Sequence, residues 1–134
     1  LELHGNIMRT KCHLSHRPIS ESWLRDATRE PPDSPWVAGG MARPDVVWFG
    51  EVLSQKIIDQ AMHAAATCDF CFSIGTTSLV HPAAGLPLAC LERGQPVVEI
   101  NPMETPLSHH ANACIRAPAS SALEQIKRQL RHNE

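Results

Sequence analysis

Apolar positions along residues 45 to 134 recur with two alternating periods, and the alternation predicts the fold class. Val46-Val47-Trp48-Phe49 is an apolar run that stops at Gly50, and it reads as a strand. Over residues 54 to 66, Ile57, Ile58, Ala61, Met62 and Ala65 fall on one face at spacings of three and four, with Gln55, Asp59 and Gln60 left to water. That spacing predicts an amphipathic helix. Phe70-Cys71-Phe72-Ser73-Ile74 is almost unbroken in apolar residues, as a strand is when helices cover both faces of a parallel sheet. Pro82 suits the first turn of a helix running through Arg93, with Gly94 as its left-handed stop. Val97-Val98-Glu99-Ile100 is the next strand. After a loop containing Pro102 and Pro106, Ala113-Cys114-Ile115 gives a short strand, and Ser121 to Glu124 reads as a capping box before Leu123, Ile126 and Leu130. The expectation is an α/β chain, part of a doubly wound parallel sheet, with no internal repeats.

Residues 9 to 44 break this pattern. They are polar, carry Pro18, Pro31, Pro32 and Pro35, and show little periodicity beyond a short helix around Glu21 to Thr28. They are expected to form a small irregular module inserted into the sheet, with Trp23 and Trp36 as candidates to fill a small apolar core. The residues before His4 read as the end of a strand.

Composition narrows the class. With 43% hydrophobic and 19% charged residues and a net charge of -2, the chain suits a compact domain. It gives no electrostatic basis for nucleic-acid binding, and it has no apolar run near the roughly 20 residues of a membrane helix. The five cysteines are odd in number and three lie in apolar runs, which fits reduced thiols and a cytoplasmic location better than a disulfide framework. The chain opens at Leu1 without Met, and it is expected to be a piece of a longer protein. Oligomeric state is not legible.

Several residues could carry chemistry. His4 precedes Gly5 at a strand end, and a positioned imidazole can take a proton from a ribose hydroxyl near neutral pH. Gly75-Thr76-Thr77-Ser78 follows a strand directly, leaving backbone amides and hydroxyls for a nucleotide's phosphates or ribose. Asn101 ends the next strand at the same edge. Cys68-Asp69-Phe70-Cys71 has metal-like spacing, but it enters a buried strand with no second pair at zinc-finger distance and reads as core.

Leu3-His4-Gly5-Asn6, Arg9-Thr10-Lys11-Cys12, Arg43 to Glu51 and Ile74 to Gly85 together resemble the sirtuins, NAD-dependent protein-lysine deacylases. The similarity runs over nearly the whole chain and is weakest across residues 13 to 38. It implies a Rossmann-like catalytic domain whose carboxyl-terminal part is residues 1–8 and 45–134, with residues 9–44 in the place of the zinc module. It implies that His4 is the catalytic base, and that NAD, used as co-substrate, meets Gly75, Thr76, Thr77, Asn101, Pro102, Met103 and Ala119. An acyl-lysine peptide would lie as an added strand between Trp48-Phe49-Gly50-Glu51 and Leu79-Val80, with Val46 and Phe49 lining the acyl-lysine tunnel.

The sirtuin zinc site uses two Cys-x-x-Cys pairs. Here Cys12 is the only remaining ligand position, while Ser15, Pro35 and Ala38 hold the other three. Zinc is therefore not expected, although His13, His16 and Asp33 could join Cys12 as a replacement set. Sirtuins also carry a glycine-rich phosphate loop and a Gln-Asn-x-Asp stretch that residues 1 to 134 do not contain. These residues alone are expected to be inactive, with an exposed apolar edge and poor solubility. Two other readings stay open: a non-catalytic nucleotide-binding domain, and an interaction domain that has lost activity.

Overall fold

Gly5 opens the first strand of the computed structural model, which describes residues 1–132 and divides into two units, Leu1–Ser54 and Gln55–Glu134. In unit 1, β1 (Gly5–Cys12), β2 (Pro18–Ile19) and β3 (Ala42–Val46) form an antiparallel sheet in the order β2-β1-β3. The expected boundaries after residues 8 and 44 fall inside β1 and β3. His4 does not end a strand; it sits in the turn that leads into one. Gly5 adopts φ +78, and a Cβ there would lie 2.0 Å from the Asp45 carbonyl oxygen, so only glycine lets the two strands approach. The pairing runs through Asn6↔Asp45, then shifts before resuming at Thr10↔Pro44, which bulges Ile7, Met8 and Arg9 out of the ladder.

The apolar run 46 to 49 is not one strand. β3 stops at Val46, and the Glu51 amide donates to the Trp48 carbonyl at 3.0 Å to close a turn with Gly50 at φ +87. Here the turn chemistry of Gly50 and Glu51 overrides the β-propensity of Trp48 and Phe49.

The intervening module contains α1 (Glu21–Arg25), capped by Ser20, whose hydroxyl accepts from the Trp23 amide. Its core is Cys12, Ile19 and Ala42, with Leu24 against them. Trp23 and Trp36 do not fill that core and are both exposed. Each indole N–H instead donates at 2.8 Å to a backbone carbonyl, of Asp33 and Pro18 respectively, and the Arg17 guanidinium lies 3.8 Å from the Trp36 ring centre. An indole needs a partner for its N–H, and distant carbonyls supply it at the module's surface.

Unit 2 alternates as expected: α2 (Gln55–Thr67), β4 (Cys71–Ile74), α3 (Gly85–Glu92), β5 (Val97–Ile100), β6 (Ala113–Ile115) and α4 (Ala119–His132), with a 3-10 helix (Pro106–His109) before β6. The three strands pair in parallel in the order β4-β5-β6. Cys90, Val97 and Leu107 form the core, with Cys68, Cys71, Leu91 and Ala111 packed on it. Burial of β4 is one-sided. Ser73 is buried, whereas Phe72 and Ile74, on the opposite face, are exposed, and Phe70 meets Phe72 edge-on at 4.7 Å.

Two helix starts differ from expectation. Pro82 lies in a turn, where the Gly85 amide bonds its carbonyl at 3.0 Å, and α3 begins only at Gly85; Gly94 takes the left-handed φ of +76 at the far end. α4 begins at Ala119, because the Pro118 carbonyl accepts both the Ala122 amide and the Ser121 hydroxyl. Ser121 is therefore inside the first turn and caps nothing. The capping box belongs to Thr105 and Ser108, over the 3-10 helix. Among the described residues, no helix is long and apolar enough to cross a membrane.

Gly5 and Gly39 provide a matched test, since both have positive φ but only Gly5 faces backbone within contact distance. Gly5→Ala is expected to cost about 2 to 4 kcal/mol and Gly39→Ala about 1 kcal/mol in urea denaturation. Equal costs would show that the Gly5–Asp45 approach does not constrain the sheet.

Candidate functional site

Strands β4, β5 and β6 run in one direction, so the segments after them leave from one edge. Gly75-Thr76-Thr77-Ser78 follows β4, Asn101-Pro102-Met103 follows β5, and Ala119 opens α4 just after β6. Gly75 takes φ +62, with nothing within 4 Å of where a Cβ would stand, and its amide bonds the Ile100 carbonyl at 3.0 Å. Ser78 is a non-glycine residue at φ +54; its amide bonds the Thr76 hydroxyl at 3.2 Å, and its own hydroxyl is buried without a partner. Strained φ and an unsatisfied hydroxyl in one short turn are features that concentrate at binding sites.

Asn101 links the first two segments. Its Nδ2 donates to the Thr76 carbonyl at 2.7 Å, and its Oδ1 accepts from the Met103 amide at 3.0 Å. Thr76, Thr77, Pro102 and Met103 are exposed at this edge, while Asn101 is buried. Leu79 and Val80 continue the first segment and are exposed. The structure thus joins Thr76, Asn101 and Met103 through hydrogen bonds, ties Gly75 to Ile100, and places Ala119 at the same edge without a bond to them.

In unit 1, His4 is exposed, and its carbonyl accepts from the Val47 amide at 2.9 Å, which makes it a neighbour of the segment after β3. The expected extended backbone at Trp48-Phe49-Gly50-Glu51 is instead the turn described above, with Phe49 97% exposed at its tip. Arg43 organises that turn. It forms a fork with the Glu51 carboxylate, donates to the Val46 carbonyl at 2.9 Å, and lies 5.5 Å from the Trp48 ring centre. Glu51 also accepts from the Trp48 amide at 3.1 Å. The Arg43 guanidinium, aided by that amide, lowers the Glu51 carboxyl to about 2.

Cys12 and Cys90 are buried, Cys68 and Cys71 half-buried, and Cys114 is exposed. Cys68 Sγ lies 3.5 Å from Cys90 Sγ, and burial, reinforced by the neighbouring thiols, pushes Cys90 up to about 11. Cys12 is fully buried, with Gly40 so close that a Cβ there would stand 2.9 Å from its sulfur. Desolvation raises the Cys12 thiol, but hydrogen bonds from Ser15 and Ser34 outweigh it and lower it to about 6. His13 does not turn toward a metal: its Nδ1 accepts from the Met41 amide at 2.8 Å. Among the described residues no three His, Cys, Asp or Glu side chains converge as a metal site, so the donors present do not fit structural zinc.

One organising group escapes a reading by motif: Glu99, a carboxylate 1% exposed in the middle of β5. A lone charge in a buried apolar strand was the available signal, since such a group requires partners.

A model of the Sir2 family matches residues 1–82. An NAD-dependent protein deacylase Sir2 of Mycolicibacterium smegmatis is 44% identical over 132 residues, covering 96% of this chain and 54% of the relative. An NAD-dependent protein deacylase of Mycobacterium tuberculosis is 39% identical over 135 residues, covering 96% and 55%. The crystal structure of a Sir2 homologue–NAD complex matches with TM-score 0.85 at 34% identity, covering 98% of this chain and 50% of that one. The chain spans about half the length of the curated relatives it matches.

The depressed Glu51 carboxyl has a pH signature. Its stabilisation of the turn is fully present above the unfolded glutamate value of about 4.3 and is lost as pH falls through about 2. The Trp48 backbone amide resonance should titrate near 2 and should not titrate in Glu51→Gln; a midpoint above 4 would exclude the Arg43 pairing. For the module, the full-length protein should carry well under one zinc per chain by atomic absorption and melt unchanged in EDTA. A stoichiometric zinc would overturn the metal-free packing around Cys12.

Proposed function

The chain belongs to the Sir2 family, and from that premise we propose that the protein carrying it is an NAD-dependent protein-lysine deacylase. The observation that carries this reading is the single carboxyl edge of unit 2, where Asn101 ties the Gly75–Ser78 turn to the 101–103 loop. The open cradle at Gly75, the orphan Ser78 hydroxyl and the exposed hydroxyls of Thr76 and Thr77 suit a dinucleotide rich in hydroxyl and phosphate oxygens. Relatives named as NAD-dependent deacylases, and the Sir2 homologue crystallised with NAD, support the same cofactor here.

When bound, NAD supplies an electrophilic ribose carbon and nicotinamide as the leaving group, so the acyl group ends on ADP-ribose. This chain's residues hold and orient. Gly75, Thr76 and Thr77 receive the nucleotide at the end of β4. Asn101, Pro102 and Met103 receive its adenosine half, and Ala119, at the start of α4, offers the backbone N–H of a helix N-terminus. His4 accepts a proton from a ribose hydroxyl, and the Gly5 turn fixes its backbone for that role.

The acyl-lysine substrate is a protein or peptide segment. Trp48, Phe49, Gly50 and Glu51 of unit 1, and Leu79 and Val80 of unit 2, are the residues we assign to it, with Val46 and Phe49 as apolar contacts for the acyl-lysine stem. Because Trp48–Glu51 is a turn held by Arg43, and the Trp48 amide and carbonyl are both bonded to Glu51, its part is a shoulder and not an added strand. All five cysteines are unpaired, which suits the reducing cytoplasm, where we place the protein.

In the full-length protein, His4→Ala should lower NAD-dependent deacylation of an acetyl-lysine peptide by about 100-fold or more while leaving NAD affinity within about threefold. Unchanged turnover would sink His4 as the base. A wild-type protein that binds NAD but deacylates nothing would favour a nucleotide-binding domain without catalysis.

A further inference from the structure

Among the described residues Glu99 is the most buried carboxylate of unit 2, and its side chain bonds Thr105 and Ser108 in the loop beyond β5 and Arg116 just after β6. One carboxylate oxygen accepts from the Thr105 hydroxyl. The other accepts from the Ser108 hydroxyl at 2.5 Å and from Arg116 Nη1 at 2.7 Å. Both hydroxyls are also acceptors: Thr105 Oγ1 takes the Leu107 amide at 3.2 Å, and Ser108 Oγ takes the Thr105 amide at 2.9 Å. Arg116 Nη1 reaches back to the carbonyl oxygens of Asn101 at 3.4 Å and Met103 at 3.3 Å.

The network has a direction. Glu99 is held in β5 between Ser73 of β4 and Cys114 of β6. From that fixed point it anchors the far end of the loop through Thr105 and Ser108, and the near end through Arg116. The near end holds Asn101, whose amide group fixes the Thr76 carbonyl. Burial pushes the Glu99 carboxyl up, but its three donors outweigh burial and keep it low, so the carboxylate form that this network needs is the favoured one. A carboxylate as buried as Glu99, with both oxygens engaged, is held stiffly, because losing a donor leaves its charge short of a partner.

We propose that Glu99 and Arg116 are positioning residues for the nucleotide: an ion pair between a buried carboxylate and a partly exposed guanidinium, fastened through Thr105 and Ser108, that sets the Asn101–Met103 loop and through it the Thr76 turn. Neither side chain need touch the ligand. The assignment rests on the nucleotide reading of this edge given above, and it adds a control point that lies inside the sheet. Misplacing a binding loop by about 1 Å is enough to weaken binding by one to two orders of magnitude.

The test compares the full-length wild type with Glu99→Gln, Arg116→Ala and Ser108→Ala, and with Arg128→Ala, which breaks an exposed ion pair on α4 remote from the network. Glu99→Gln and Arg116→Ala should each raise KM for NAD and Kd for ADP-ribose about 10- to 100-fold with kcat changed less than about threefold. Ser108→Ala should give a smaller rise of the same kind, and Arg128→Ala none. A folded Glu99→Gln or Arg116→Ala protein with unchanged KM and Kd overturns the proposal. Should Glu99→Gln fail to fold, Ser108→Ala, which keeps the ion pair, decides: unchanged Kd in that variant overturns it equally. A wild type that binds ADP-ribose but shows no turnover counts against the deacylase reading alone, and Kd still judges the loop.

Discussion

Parallel pairing of β5 with both neighbours is the constraint on which unit 2 depends. Val97 and Ile100 are fully buried in it, and Glu99 nearly so, so the strand cannot slip by one residue without turning Glu99 off its partners and an apolar side chain toward them. Once the register is set, the strand direction does the rest. Each strand hands its following segment to the same edge, so residues 75 to 78 and 101 to 103 are collected without any local instruction in those segments.

Unit 1 depends on a closer contact of another kind. Antiparallel β1 and β3 meet where Gly5 lies against the Asp45 carbonyl, and Asp45 also takes ion pairs from Arg9 at 3.2 Å and Lys11 at 3.1 Å. Those cations outweigh the burial that would raise the Asp45 carboxyl, and its titration is lowered. The module between the strands holds through its own packing and hydrogen bonds. Cys12 packs with Ile19 and Ala42 while its sulfur accepts from the Ser15 amide, and two indoles bonded to carbonyls bracket the loop.

Legibility varied with the range of the physics involved. The helical spacing of residues 57 to 65 placed α2 almost to the residue, and the apolar runs at 97 to 100 and 113 to 115 coincide with β5 and β6. Gly94 stops its helix as its type demands. The misreadings share one cause. Phe49, Pro82 and Ser121 each carry a local preference, for a strand, a helix start and a cap, and each was overruled by a specific hydrogen bond: Glu51 to Trp48, Gly85 to Pro82, and Ser121 to Pro118. The family motif strings marked His4 and Gly75 to Thr77 because their residue types stand in consecutive order, and the end of the strand at Ile100 marked Asn101. The strings gave Arg43 no role and did not include Glu99 or Arg116, whose significance comes from partners up to 17 positions away.

The amino-acid order by itself determined the alternation of elements, the parallel class of the second sheet, the family, and which segments could carry chemistry, because each of these is written in spacings of two to four residues or in contiguous strings. Tertiary structure alone decided where strands stop, which glycine is obligatory, that Trp48–Glu51 turns, and that a carboxylate inside β5 governs a loop at its end. Those outcomes depend on excluded volume and hydrogen bonding between groups distant in the chain, and neither has a signature until the backbone has brought them together.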